Sequence, residues 1–131
     1  MDWKWNGGGA GQFQEKTGRG IFRYALGEGA SGRFGHVEVL VRTVPMPGHY
    51  SIQWDVSGQA LEHDAHDRIV AAARNYMTKY ADAYKENGVH LAIVQASSDE
   101  IRRNDYERAT EVAVRFALED AGLPVPRIFA P

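Results

Sequence analysis

Hydrophobic positions change their period three times along the chain, and each change marks an element. Ile21, Arg23 and Ala25 alternate with Phe22, Tyr24 and Leu26, which predicts a strand over 21–26. Val37, Val39 and Val41 alternate with Glu38, Leu40 and Arg42, and the β-branched residues predict a strand over 35–43. Val44-Pro45-Met46-Pro47-Gly48 breaks the pattern. Tyr50, Ile52, Trp54 and Val56 then share one face of a strand over 49–56. From about Leu61 the spacing turns helical. Leu61, Ala65, Ile69, Ala72, Ala73, Tyr76, Tyr80 and Tyr84 form one stripe, and Asn87-Gly88 is the expected left-handed cap. Val89 to Ala96 is an apolar run between turn signals, hence a central strand. After a polar connection over 97–103, Asn104 reads as a helix N-cap with Glu107 at capping-box spacing. Ala109, Val112, Ala113, Phe116 and Ala117 form the second buried stripe, which Gly122 and Pro124 end.

The start of the chain is less regular. Gln12 to Lys16 is a candidate first strand and Thr17-Gly18-Arg19-Gly20 a candidate turn. Residues 1–11 read as a flexible arm rich in glycine, with Trp3 and Trp5 on one side of an extended segment. These tryptophans either cover local apolar surface or dock on a partner chain or base. Residues 123–131 read as a proline-spaced tail.

This order of elements predicts an α+β fold: a mostly antiparallel four-stranded sheet with two helices on one face, a two-layer α/β sandwich. The segment from Tyr50 to Ala96 is a strand–helix–strand unit, a crossover if its strands are parallel.

Composition narrows function mainly by exclusion. A chain of 131 residues, 44% apolar and 24% charged, suits one folded domain. No cysteine is present, which removes disulfides, thiol nucleophiles and thiolate metal sites. No apolar run nears the roughly 18 residues that span a bilayer, so no membrane partner is expected. The first residues lack a basic start followed by an apolar run, and the expected compartment is the cytoplasm. With 15 basic and 17 acidic side chains the net charge is −2, which disfavours general nucleic-acid binding but permits a local basic patch.

Candidate chemistry is sparse. Gly27, Gly29 and Gly32 have G-x-G-x-x-G spacing, yet a strand follows them where a dinucleotide site needs a helix. A tight hairpin loop is the better reading. No P-loop is present. His63, Asp64, His66 and Asp67 cluster at a helix start, where helix-end charge placement explains them and no metal is expected. His36 lacks an indicated nucleophile or acid and reads as structural. Neither a catalytic residue nor a cofactor is expected.

One resemblance is specific. Gly32, Phe34, Gly35, His36 and Val37 follow a glycine-rich loop in the pattern G-Q-[YF]-[GA]-H-V, with Arg33 in place of glutamine. Phe13-Gln14-Glu15-Lys16-Thr17 is similar to a Y-R-E-T strand, and Ala109-Thr110-Glu111-Val112-Ala113 follows in the same order. Over residues 12–122 the chain thus resembles domain IV of elongation factor G, without the GTPase domain. The resemblance implies a ribosomal-protein-like fold with a left-handed β-α-β crossover. It also implies two tip loops, Glu28 to Arg33 and Ser98 to Asn104, that enter the decoding site of the ribosome. The family's tip histidine is missing; Ile101 stands near its place. Arg33, Arg102, Arg103 and Asn104 are the candidate RNA contacts, the guanidinium fork being suited to phosphate. The expected function is a non-enzymatic module that binds structured RNA or the ribosome through these loops. The alternative is a protein-interaction or homo-oligomeric assembly module that kept the fold without RNA binding.

Overall fold

The computed structural model describes residues 13–58 and 61–125. The expected arm with Trp3 and Trp5, and the end of the tail, lie outside the described residues. Strands β1 (Thr17–Leu26), β2 (Arg33–Val44) and β3 (Tyr50–Trp54) come first. Helix α1 (Ala65–Lys79), strand β4 (Gly88–Ala96), the two-residue strand β5 (Arg103–Asn104) and helix α2 (Tyr106–Asp120) follow. The sheet order is β1-β2-β4-β3, with β5 paired to the start of β2. β1 with β2 and β2 with β4 are antiparallel, whereas β3 with β4 and β5 with β2 are parallel. The fold is therefore the expected two-layer sandwich, except that the sheet has five strands rather than four, the short β5 being the addition, and β3–α1–β4 is a crossover.

The valine stripe sits at the centre. Val37, Val39 and Val41 of β2 point to the same side as Val89, Leu91 and Ile93 of β4, and all six are buried. Above them lie Ile69, Ala73, Tyr76 and Met77 of α1 and Ala113, Val114, Ala117 and Leu118 of α2. α2 lies across β1 and β2, α1 touches β3, and the two helices touch each other, so both occupy one face. Between Glu38 and Val39 the register slips: Val39 faces Ile93 but Glu38 faces Gln95, leaving Val94 as a bulge.

Some expectations need correction. The turn at 17–20 is instead the start of β1, and no strand is assigned over 13–16. Gly18 and Gly20 do not bend the chain; they let α2 come close. A Cβ on Gly20 would lie 2.0 Å from the Ala113 carbonyl oxygen, and one on Gly18 would lie 2.2 Å from that of Ala117. The first helix stops at Lys79, because Tyr80 leaves helical geometry at φ −123°, ψ 66°. A 3-10 turn at Ala81–Tyr84 then brings Tyr84 against Tyr50, ring centroids 5.2 Å apart, and its carbonyl accepts the Gly48 N–H at 2.7 Å. Gly88 opens β4 rather than capping a helix; a Cβ there would meet the Met46 carbonyl oxygen at 2.6 Å. In α2 the core face carries Val114 and Leu118, while Val112 is half-buried and Phe116 turns outward to meet the Phe22 ring edge-on.

Candidate functional site

The loop after β1 and the loop before α2 meet at one end of the sheet and form a single tip. Gly27 and Gly29 have φ of 67° and 66°, the left-handed region, and turn the chain through a 3-10 turn at Gly29–Ser31. Gly32 then passes under the second loop: the Arg103 N–H donates to the Gly32 carbonyl at 3.1 Å, and the Asp105 N–H to that of Phe34 at 2.7 Å. These bonds create β5, which a sequence reading takes for polar loop.

Arg102 and Asn104 brace this tip from within. The Arg102 Nε donates to the Gly27 carbonyl at 2.6 Å and its Nη1 to the Asp99 carboxylate at 2.9 Å. Asp99 also accepts the backbone N–H groups of Ile101 and Arg102 at 2.8 and 2.7 Å. Those two backbone bonds, aided by the Arg102 guanidinium, hold the Asp99 carboxyl below the usual aspartate range. Asn104 is buried and is not the N-cap of α2; that place belongs to Asp105. Its amide accepts the Asp99 N–H at 2.7 Å and donates to the Asp99 carbonyl at 3.0 Å. Both residues, expected among the RNA contacts, are thus spent on the protein's own backbone. Glu107 does not close a capping box either. It takes a two-pronged pair from Arg68 of α1, both distances 2.8 Å, while Arg68 also donates to the Asn104 carbonyl at 3.1 Å. That pair raises the Arg68 pKa and lowers that of Glu107.

The motif residues serve the same framework. A Cβ on Gly32 would lie 2.8 Å from the Leu26 carbonyl oxygen; one on Gly35 would lie 2.7 Å from the Tyr24 ring. Phe34 is buried beneath the Arg23 guanidinium, 5.6 Å from the ring centroid. The His36 Nδ1 pairs with the Ser97 hydroxyl at 2.9 Å, and burial, with Arg23 nearby, lowers its pKa and favours the neutral ring.

Arg33 and Arg103 are different. They are register partners in the parallel β2–β5 pair, so their side chains leave the same side of adjacent strands, about 4.8 Å apart at the backbone. Both are exposed and neither forms an ion pair among the described residues, while the Arg103 charge contributes to lowering the Glu107 pKa. Arg108, exposed on the first turn of α2, joins them; sequence reasoning missed it. Arg108 and Arg33 both act on the Tyr24 hydroxyl, which burial and then Asp105, its hydrogen-bond acceptor, push up to about 12 despite them. The available signal was the pair of arginines flanking the helix start at Asp105.

The His63–Asp67 run disperses. His66 Nδ1 meets Asp67 at 2.9 Å and its ring packs edge-on to Trp54, while Asp64 lies 3.9 Å from Arg68. Among the described residues no group of three metal-ligating side chains forms, and no helix is long and apolar enough to cross a membrane.

Comparison with known proteins finds no matching family model and no matching curated protein. Solved structures do match. A protein of Thermus thermophilus shares 16% identity at a TM-score of 0.59, over 83% of this chain and 16% of that one. The likeness is one of fold. Rice (Oryza sativa) Rrp46, at 14% identity and TM-score 0.48, covers 82% of this chain and 58% of its own. A mevalonate kinase of methicillin-resistant Staphylococcus aureus reaches only 0.40, at 14% identity over 87% and 41%. The chain spans a minor part of the Thermus protein, and neither of the other two likenesses is close enough to carry an argument.

Proposed function

We propose that this chain is a non-enzymatic module, similar to domain IV of elongation factor G, that contacts structured RNA or the ribosome through its two tip loops. The observation that supports this reading is the placement of Arg33 and Arg103. They are exposed side by side, in no ion pair among the described residues, on a tip that Arg102, Asp99 and Asn104 brace. Two guanidinium groups on adjacent strands suit neighbouring phosphates of one backbone. Glu28 and Glu100 are also exposed at the tip and limit how much phosphate it attracts.

Filter binding to a structured RNA across a salt series tests the proposal. Affinity should fall as salt rises, and replacing Arg33 and Arg103 by alanine should flatten the slope by about 0.7–0.9 for each phosphate no longer neutralised. An affinity that ignores salt and both arginines would reject it. The assembly reading would then lead, since Ile21 and Leu40 are 42% and 40% exposed on the helix-free face of the sheet.

A further inference from the structure

The helix-free face of the sheet carries side chains in ordered rows, and one end of it is a groove of about 470 Å³. The register places Thr17, Arg42, His90 and Ser51 in one row across β1, β2, β4 and β3. The next row is Arg19, Leu40, Ala92 and Gln53. The first row is wholly polar; the centre of the second is apolar. Two residues of strand, about 6.6 Å, separate them.

Charge within the groove is unequally engaged. Arg19 pairs with Glu38 at 2.5 Å, and its backbone N–H takes the Asp120 carboxylate at 2.9 Å. His90 is tied at both ring nitrogens, Nδ1 to Ser51 at 2.7 Å and Nε2 to the Gln53 side-chain oxygen at 3.0 Å. Arg42 is exposed and has no ion pair among the described residues. Asp55 lies at the opposite end of the groove from Arg42, past the apolar row, and disfavours a second negative charge there. Asp120 borders the groove along β1 and Asp55 lies at its far end, so an anionic head has one place, over Arg42, with the apolar floor beside it.

We infer that this groove binds a small amphipathic monocarboxylate, its head on Arg42 and its apolar body over Leu40 and Ala92. The volume lies in the range of ordinary small-molecule sites. The planar fork of Arg42 matches a carboxylate bidentately. The site lies on a different surface from the tip arginines and stands or falls without them.

The experiment is an NMR titration of the full chain with 4-phenylbutyrate, whose carboxylate and ring centre lie about as far apart as the two rows. Saturable shifts centred on Leu40, His90 and Ala92 are expected, with the tip residues Arg33 and Arg103 silent. Arg42→Gln, at an exposed position, should weaken binding by at least about tenfold, as loss of a charged hydrogen-bonding pair does. The neutral 4-phenylbutyramide should bind the unaltered chain more weakly by a similar factor. Leu40→Gln should also weaken the carboxylate, which separates a groove from a bare surface cation. No saturation, an unaffected Arg42→Gln variant, or equal affinity for the amide would each overturn the proposal. A folded spectrum of every variant is read in the same titration.

Discussion

Glycine does different work at the two ends of β1. At the start, Gly18 and Gly20 have room for nothing but hydrogen on the side that faces α2. Past the other end, Gly27 and Gly29 have positive φ, and Gly29 faces open space. The first pair is there for what it lacks, the second for how it bends. The regions differ accordingly. The helix–sheet layer is held mainly by contact between backbones, with Asp120 at its edge accepting the Arg19 N–H. The tip is held by side chains bonding to backbone, through Asp99, Arg102 and Asn104. A perturbation of the layer should therefore reach the whole fold, and one of the tip should stay local.

Gly20→Ala gives the largest expected effect. Its Cβ would stand 2.0 Å from the Ala113 carbonyl oxygen and 2.4 Å from the Ala117 nitrogen. Both obstacles are backbone, so α2 must shift as a body. Overpacking of this kind costs about 3 kcal/mol, read as a lower urea midpoint. A cost below that of Gly29→Ala would break the distinction between the two regions.

Asn104→Ala comes next. It leaves the Asp99 N–H and carbonyl without their partner in a partly buried turn, a loss of about 2 kcal/mol. Hydrogen exchange should show faster exchange at Asp99 and unchanged protection in β1 and β2. If protection fell throughout, the tip would not be a separable unit.

The same contrast explains what was legible in the sequence. The strands β2 and β4 were plain because period-two burial leaves valine, leucine and isoleucine at every second position. A turn at Gly18 and Gly20 is the wrong reading because two glycines two apart signal a turn and a close helix equally well. The deciding pattern lies almost a hundred residues away: Ala109, Ala113, Ala117 and Ala121 repeat every four residues along α2 and face those glycines and Gly35. Such a pairing exists only once the chain has folded. At the tip, the arginines were visible but their roles were not. Arg102 and Arg103 are neighbours of one type; register sends Arg103 outward and leaves Arg102 bound to Gly27. Likewise Asn104 had the right spacing for an N-cap, and pairing with β2 claimed it instead.

Gly29→Ala should cost only about 1 kcal/mol, the penalty of a left-handed backbone for a residue with a Cβ. Nothing lies within 4 Å of where that Cβ would go. Thermal melts would show a small shift, and RNA affinity in the filter assay should change little. A shift as large as that of Gly20→Ala would mean the tip carries strain that packing does not reveal.

The smallest effect is one of acidity, and it should separate the regions most cleanly. Bonds from the Ile101 and Arg102 amides, then from the Arg102 side chain, depress the folded pKa of Asp99. A depressed carboxylate contributes order that is fully present above its unfolded value, about 3.9, and lost as pH falls through the lower folded value. Amide protection at 99–102 should therefore decline as pH drops through that window, and Asp99→Asn should remove the dependence. One carboxylate touches the glycine–alanine layer, that of Asp120 on the Arg19 N–H, so the control is made in Asp120→Asn, where Gly18 and Gly20 should keep their protection through the same range. Loss of protection there at the pH where the tip loosens would show that closure of the tip holds α2 against β1, and the two regions would be one.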